Sequence, residues 1–134
     1  MRLKNKIAII TGSASGFGKG IAEKFSKEGA RLILVDRNEK LLRKVAKKIS
    51  QDFFVADVSK SSNMKSLLSY SYKKYKSVDI VVNNAGITHK PKFMEKVTEK
   101  EFENVFNVNV KSVYYCGKYF IPKMKKLKKG VVLM

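Results

Sequence analysis

A glycine-rich turn close to the N-terminus constrains the fold more than any other feature of the sequence. It occupies residues 11–18 (TGSASGFG) and directly follows an apolar run at residues 7–10. Beyond it, Phe17, Ile21 and Phe25 recur every four residues. A short apolar run bounded by glycine is typical of a strand buried on both faces, and the four-residue spacing is typical of a helix. The segment therefore predicts a strand, a tight turn and a helix.

The same alternation of strand and helix patterns runs through the rest of the chain. The predicted strands cover residues 6–11, 31–36, 53–56, 78–82 and 131–133. The core stripe of helix two comprises Leu41, Leu42, Val45, Ala46 and Ile49, and that of helix three comprises Met64, Leu67, Leu68 and Tyr72. This order predicts an α/β fold with a doubly wound parallel sheet, the Rossmann architecture, because each crossover helix covers one sheet face. We expect the chain to be truncated within its fifth strand.

Helix four is predicted to be the longest helix. Thr98 and Glu101 have the spacing of a capping box, so the helix is expected to begin there. Its predicted apolar face consists of Phe102, Val105, Phe106, Asn109 and Val113. Pro122 is expected to interrupt the helix, because proline has no N–H to donate.

The composition is that of one globular domain over residues 1–134. With 44% apolar residues, a chain of this length can bury a single core. Cys116 is the only cysteine, which excludes an internal disulfide, and no Cys or His cluster suggests a metal site. No apolar run is long enough for a signal peptide or a membrane span. We therefore expect a cytoplasmic protein without a bound metal or a membrane partner.

The chain is strongly basic, with 29 Lys and Arg against 11 Asp and Glu and a formal net charge of +18. The lysines are spread over nearly every segment, and no DNA- or RNA-binding motif accompanies them. This pattern favours a solvated surface over a specific nucleic-acid site. The densest cluster, at residues 123–129, is open to two interpretations: contact with an anionic surface, or the ordinary preference of lysine for helix C-termini.

The glycine turn has the properties of a phosphate-binding site. It lies between a strand and a helix N-terminus, where backbone N–H groups and the helix dipole attract a pyrophosphate. Gly12 allows the tight exit from the strand, Gly16 allows a phosphate to approach the backbone, and Gly18 allows close packing of helix and sheet. The spacing matches neither GxGxxG nor a Walker phosphate loop.

Asp36 ends the second predicted strand, 20 residues after Gly16. A carboxylate at this place can accept both hydroxyls of an adenosine ribose and would repel a 2′-phosphate. The sequence therefore favours NAD over NADP, although Arg37 could reach a 2′-phosphate if Asp36 turned away. The alternative role for Asp36 is to cap helix two, which Asn38 could do equally well.

Four motifs resemble those of the short-chain dehydrogenase/reductase family. Residues 11–18 resemble its TGxxxGxG motif, Asp57-Val58 its adenine-contacting pair, residues 83–86 its NNAG motif, and Asn109 the asparagine of its fourth helix. Within the family, the wording is most similar to bacterial 3-oxoacyl-carrier-protein reductases and sugar dehydrogenases. The resemblance implies an NAD(P)-dependent oxidoreductase that transfers hydride between nicotinamide and a carbonyl or alcohol.

The resemblance also implies roles for individual residues, each with a structural alternative. Asp57 would contact adenine beside Val58, or it would cap helix three. The NNAG residues would brace the neighbouring strand and line the cofactor channel, or they would form only a turn. Asn109 would support a water in the proton relay, the one catalytic role implied within this chain, or it would be a satisfied core asparagine at a helix kink.

Together, the turn, Asp36 and the family motifs predict a set of cofactor-binding residues. The set is Gly12, Ser13, Ser15, Gly16, Phe17, Gly18, Asp36, Arg37, Asp57, Val58, Asn83, Asn84, Ala85 and Gly86. The resemblance further implies a homo-oligomer built on helix four.

The resemblance places the catalytic Ser, Tyr and Lys of the family beyond Met134. We therefore expect the dinucleotide-binding half of the fold without its catalytic part, and an inactive chain. The four YxxxK pairs that begin at Tyr70, Tyr72, Tyr114 and Tyr119 all precede strand five and are interpreted as packing tyrosines with solvated lysines. His89 is expected at a solvent or substrate-side rim. The alternative is a small non-catalytic protein that binds a nucleotide or other anions.

Overall fold

The structure, a computed structural model, describes residues 1–134 and contains a single five-stranded sheet. The strands are β1 (Ile7–Thr11), β2 (Arg31–Asp36), β3 (Asp52–Val55), β4 (Ile80–Val82) and β5 (Val131–Leu133). All pairs are parallel, and the spatial order is β3-β2-β1-β4-β5. The predicted doubly wound α/β fold is confirmed. The bounds of β2 and β5 are as predicted, and those of the other three strands differ by one or two residues.

The chain has five α-helices, and four of them cover the two faces of the sheet. The five helices are α1 (Gly16–Lys27), α2 (Glu39–Ile49), α3 (Ser61–Tyr75), α4 (Glu99–Phe106) and α5 (Ser112–Lys126). Alternate residues of the central strands point to opposite faces, so Ile9 and Ile33 pack with α3 and α5, whereas Ile10 and Leu32 pack with α1 and α2. The sheet therefore separates two hydrophobic cores that share no residue.

The predicted helix four is three consecutive segments, because a π turn (Asn107–Lys111) lies between α4 and α5. Its predicted apolar face is wrong. The buried row follows four-residue steps and consists of Val108, Ser112, Cys116, Phe120 and Met124. A π turn adds one residue to a helical turn and so changes which residues face the core. Asn109 thus lies outside the buried row, and Phe102 and Phe106 are exposed in α4, a helix that has no buried residue.

The predicted interruption of the helix at Pro122 is absent, since α5 continues to Lys126. The carbonyl that a residue at position 122 would bond belongs to Lys118, and both residues are exposed. Water can satisfy that carbonyl, which lowers the cost of the missing hydrogen bond. The capping box at Thr98 is present as predicted: its Oγ1 accepts from the Glu101 N–H, and the Glu101 carboxylate accepts from the Thr98 N–H.

The strand order creates a crevice at one edge of the sheet. The chain adds β2 and β3 on one side of β1 and then crosses to the other side to form β4 and β5. Connections leaving the carboxyl ends of β1 and β4 consequently diverge, and open α/β sheets bind ligands at such a switch point. None of the helices is both long and apolar enough to cross a membrane.

Candidate cofactor-binding site

The glycine turn leaves its backbone open at the N-terminus of α1. Gly12 and Gly16 have φ angles of +66° and +54°, a conformation that side chains disfavour. A Cβ at Gly16 would meet no protein atom within 4 Å, so that position faces open space. Ser15, the N-cap residue, forms no capping hydrogen bond through its side chain, and the first turn of α1 contains no acidic residue. The first N–H groups of α1 are thus available to an external anion.

The carboxylate of Asp36 lies beside this turn. Its Oδ2 accepts a hydrogen bond from the Ala14 N–H at 3.1 Å, and its Oδ1 accepts one from the Asn38 N–H at 2.9 Å. Asn38 caps α2, as its side chain accepts from the Leu41 N–H. Each Asp36 oxygen retains a lone pair, because a carboxylate has about four acceptor positions. The two bonds therefore orient the carboxylate and leave it able to accept two hydroxyl groups.

Asp57 follows β3 and lies in a turn that its own side chain stabilises. Its Oδ1 accepts from the Ser59 N–H at 2.9 Å and from the Ser59 hydroxyl at 2.6 Å. Burial by itself would raise the pKa of Asp57, but these hydrogen bonds and the nearby Lys60 and Arg37 lower it below its ordinary value. The side chain does not cap α3, whose N-cap residue is Lys60. Asp57 is therefore a fixed negative charge at the carboxyl end of β3.

Thr11 and Asn84 join the carboxyl ends of β1 and β4. The Thr11 hydroxyl donates to the Val82 carbonyl at 3.2 Å and accepts from the N–H groups of Asn84 and Ala85, both at 3.0 Å. The Asn84 Nδ2 donates to the carbonyls of Thr11 at 2.9 Å and Gly12 at 3.3 Å. The predicted bracing of the neighbouring strand by the NNAG segment is thus present in the structure.

Asn109 differs from its sequence interpretation as a buried polar group on an apolar stripe. It is exposed, and its side chain binds the backbone of Ile87: Oδ1 accepts from the N–H at 2.8 Å, and Nδ2 donates to the carbonyl at 2.9 Å. The residue lies within the π turn. Its side chain therefore fastens the loop after β4 to the long helix.

These elements enclose a cavity of about 360 Å³ at the switch point. That size lies in the range of small-molecule sites. The predicted residues that line it are Gly12, Ser15, Gly16, Phe17, Asp36, Arg37, Asp57, Val58, Asn84, Ala85 and Gly86. The glycine turn and Asp36 thus belong to the same cavity. Phe17 is 88% exposed at its mouth.

Three predicted residues do not line the cavity. Ser13 is completely buried, and its hydroxyl donates to the Val35 carbonyl at 3.3 Å. A Cβ at Gly18 would lie 2.1 Å from the Gly12 carbonyl oxygen, so this glycine serves close packing of α1 against the turn. Asn83 donates through its backbone N–H to the Leu133 carbonyl at 2.9 Å, which ties β4 to β5. These three residues support the residues that line the cavity.

Three apolar residues of the cavity are absent from the sequence prediction: Ala56, Ile87 and Val108. Each adjoins a residue that was predicted, since Ala56 precedes Asp57, Ile87 follows Gly86 and Val108 precedes Asn109. The motifs mark polar and glycine positions, whereas the neighbouring apolar wall carries no signal in a single sequence.

The YxxxK tyrosines and His89 lie outside the cavity lining. Tyr70 and Tyr72 are on α3, and Tyr114 and Tyr119 are on α5. The Tyr119 hydroxyl is hydrogen-bonded to the Ser61 hydroxyl at 2.6 Å. His89 is half-buried, and its Nδ1 lies 2.8 Å from the Lys90 carbonyl oxygen.

A comparison with family models identifies the family of the chain. The family model described as short chain dehydrogenase matches residues 6–134. The chain belongs to the short-chain dehydrogenase family. The motifs at residues 11–18 and 83–86 thus lie in a member of the family that they resemble, and the parallel sheet is the fold of that family.

Individual relatives of this short-chain dehydrogenase cover nearly the whole chain. Zerumbone synthase from Zingiber zerumbet is 36% identical over 93% of the chain and 50% of its own length. The 3-oxoacyl-[acyl-carrier-protein] reductase of Thermotoga maritima is 33% identical over 99% of the chain and 56% of its own length. The chain therefore spans about half the length of the curated relatives that it matches.

A solved structure of the family has the same backbone fold. The 3-ketoacyl-(acyl-carrier-protein) reductase from Brucella melitensis, in complex with NADH, superposes with a TM-score of 0.89 and is 38% identical. The alignment covers 97% of this chain and 56% of that one. This chain therefore shares the fold of a reductase whose structure contains NADH.

Proposed function

We propose that the protein is an NAD-dependent oxidoreductase of the short-chain dehydrogenase family and that residues 1–134 form its dinucleotide-binding part. The reaction is hydride transfer between the nicotinamide of the bound cofactor and a small carbonyl or alcohol substrate. The observation that carries the proposal is that Gly16 and Asp36 line the same cavity. The Cβ position of Gly16 is open, and the carboxylate of Asp36 is hydrogen-bonded to the glycine turn.

The residues that line the cavity match the chemistry of a dinucleotide. The free N–H groups at the start of α1 suit the diphosphate. Asp36 offers acceptors for the ribose hydroxyls, and Asp57 with Val58 offers an acceptor and an apolar surface for adenine. The opposite end of the cavity, at Gly86 and Ile87, is left for the nicotinamide.

The proposed preference for NAD rests on Asp36. A 2′-phosphate on the adenosine ribose would bring negative charge next to this carboxylate, which its hydrogen bonds to Ala14 and Asn38 hold in place. Arg37 lines the same cavity and forms no ion pair, so it is the group that would attract a 2′-phosphate. The tethered carboxylate favours NAD.

Asn109 is proposed as a positioning residue. Both polar atoms of its side chain are engaged by Ile87, so it acts through the loop that borders the cavity. In this role it keeps Ile87 at the nicotinamide end of the groove.

We further propose a homodimer through the exposed face of α4 and α5. Phe102, Phe106, Val110 and Tyr114 follow four-residue steps along this face and are 48–59% exposed. The charge along the same helix is asymmetric: α4 carries Glu99, Glu101 and Glu103, whereas α5 ends in Lys123, Lys125 and Lys126. An antiparallel second copy would place the acidic half of one helix against the basic half of the other.

The cofactor proposal is tested by NADH fluorescence titration of two alanine variants. Gly16→Ala adds a methyl group where the diphosphate would approach, whereas Gly20→Ala adds one to the same helix at another open position. We expect NADH affinity to fall at least tenfold in Gly16→Ala and to change less than twofold in Gly20→Ala. Thermal unfolding of both variants separates this effect from the cost of alanine at a positive φ, about 1 kcal/mol. Equal affinities in the two variants, or no NADH binding by the unmodified chain, would reject the proposal.

A further inference from the structure

The basic residues of the chain are concentrated on one face of the molecule. This basic face consists of residues 1–6, 24–31, 47–52, 73–79 and 123–130, which precede the five strands. These 35 residues contain 16 of the 29 Lys and Arg but only three acidic residues. All 16 basic side chains are exposed. The face thus holds 13 of the 18 net positive charges.

The topology explains why these segments lie together. In a parallel sheet with antiparallel crossover helices, every strand begins and every helix ends at the same edge. Lysines at helix C-termini, such as Lys47 and Lys48 on α2, also interact favourably with the helix dipole. The cofactor groove lies at the opposite edge, about 15 Å away along strands of about five residues. The basic face is therefore a separate surface.

The acidic residues of this face are committed to contacts within the chain. Glu28 accepts from the Arg2 N–H at 2.9 Å and pairs with Lys24 at 3.3 Å. Asp52 pairs with Lys74, and Asp79 pairs with Lys129 at 3.0 Å. Arg2 also pairs with Glu28 at 3.8 Å, and Lys48 pairs at 3.1 Å with Glu23, which lies outside the face. The other eleven side-chain cations of the face have no acidic partner.

We propose that the basic face binds the phosphate backbone of double-stranded nucleic acid without sequence preference. Five strands at about 4.8 Å spacing make the face roughly 20 Å wide. A duplex presents about 12 phosphates over that distance. Lysines on all five segments of the basic face can therefore lie opposite phosphates of one duplex.

The side chains between the lysines favour a duplex over other polyanions. Single strands are bound by stacking on exposed aromatic rings, but the two aromatic residues of the face, Phe25 and Tyr75, are half-buried. Stable membrane attachment requires apolar insertion in addition to charge. Only Met1 and Leu127 are exposed large apolar residues on this face. Binding to the phosphates of a rigid duplex requires neither aromatic stacking nor apolar insertion.

The test compares two variants of the chain that each lose four positive charges. The first replaces four unpaired lysines of the basic face that lie outside the proposed dimer interface: Lys4→Gln, Lys27→Gln, Lys47→Gln and Lys73→Gln. The matched control replaces exposed, unpaired lysines that lie outside both surfaces: Lys40→Gln, Lys65→Gln, Lys90→Gln and Lys96→Gln. Lys129 is retained in both because it pairs with Asp79. Fluorescence anisotropy measures the affinity for a labelled duplex of about 24 base pairs between about 50 and 200 mM KCl.

The basic-face variant is expected to lose at least tenfold in affinity at low salt. The slope of log K against log salt concentration should become shallower by about 3 to 4, since each phosphate contact contributes about 0.9. The control variant should lose less than threefold. Equal losses in the two variants would reduce the binding to overall charge and overturn the proposal. Tighter binding to vesicles of an anionic phospholipid than to the duplex at equal salt would also overturn it, in favour of a membrane surface.

Discussion

The side chain of Asn109 and the backbone of Ile87 are joined by two reciprocal hydrogen bonds, at 2.8 Å and 2.9 Å. This pair connects the π turn of the long helix to the loop that follows β4. Because Ile87 lines the cavity while Asn109 does not, the asparagine contacts the cavity wall from outside it.

We expect Asn109→Ala to lower the free energy of unfolding by about 1 to 2 kcal/mol, since two hydrogen bonds are lost. The Ile87 amide should also exchange its hydrogen faster. The control is Asn107→Ala in the same π turn, because the side chain of Asn107 forms no hydrogen bond. Urea denaturation and amide exchange measure both effects. A similar loss in the two variants would show that the π turn, and not the pair, is responsible.

Substitution of Asp36 should alter cofactor preference. Asp36→Asn keeps an acceptor for the Ala14 or Asn38 N–H but removes the negative charge, so the ratio of NADPH to NADH affinity should rise about tenfold. Asp36→Ala should weaken NADH binding further, because the acceptors of the ribose hydroxyls are gone. Fluorescence titration with each cofactor measures the ratio. An unchanged ratio in Asp36→Asn would contradict the proposed role of the charge.

Asp79 should make stability depend on pH. Burial would raise its pKa, but the hydrogen bond from the Ile7 N–H and the ion pair with Lys129 hold it below the ordinary value. A lowered pKa means that the carboxylate stabilises the fold above about pH 3.9, and that this contribution is lost as the pH falls through the folded pKa. We expect Asp79→Asn to cost about 1 to 2 kcal/mol at pH 7 and less near pH 3.

The comparison for Asp79 is Glu103→Gln, since Glu103 is exposed and forms no ion pair. Urea denaturation between about pH 3 and 7 gives both curves. The difference between the unmodified chain and Asp79→Asn should shrink in acid, whereas that for Glu103→Gln should stay near zero. A constant difference for Asp79→Asn would contradict the assignment.

Phe106→Asp should dissociate the proposed dimer. Phe106 lies in the exposed stripe of α4 and stacks on Phe102 with ring centroids 6.2 Å apart. A charge placed in a buried interface costs several kcal/mol. Sedimentation velocity should show a dimer for the unmodified chain and a monomer for the variant. Leu41→Asp on α2, which is 41% exposed on the other side of the sheet, should leave the dimer intact.

The sequence predicted the parts of the fold that depend on local patterns. Buried strands such as Ile7–Thr11 and the capping box at Thr98 carry signals within a few residues, and both are present. A parallel sheet with helices on both faces then follows from the alternation of strands and helices, whereas the strand order was not predicted. The family motifs together with Asp36 and Arg37 identified eleven of the fourteen residues that line the cavity.

The errors arose where non-local packing decides the outcome. No sequence pattern distinguishes a π turn from an α-helical turn, so the face of the long helix and the exposure of Asn109 were assigned wrongly. Ser13 and Ala56 illustrate the same limit at the site: whether a residue next to a motif points toward the cavity depends on strand twist and on the turn conformation. The prediction that Pro122 interrupts the helix is wrong because its helical neighbour Lys118 faces solvent.

The division of the hydrophobic interior by the sheet gives the chain a natural reporter. Cys116, its only thiol, is fully buried in the core beneath α3 and α5, whereas the core beneath α1 and α2 contains no thiol. Alkylation of this sulfur requires the layer of α3 and α5 to open. A ligand bound at the turn before α1 and a ligand bound beside α5 would consequently slow the alkylation of Cys116 to different extents.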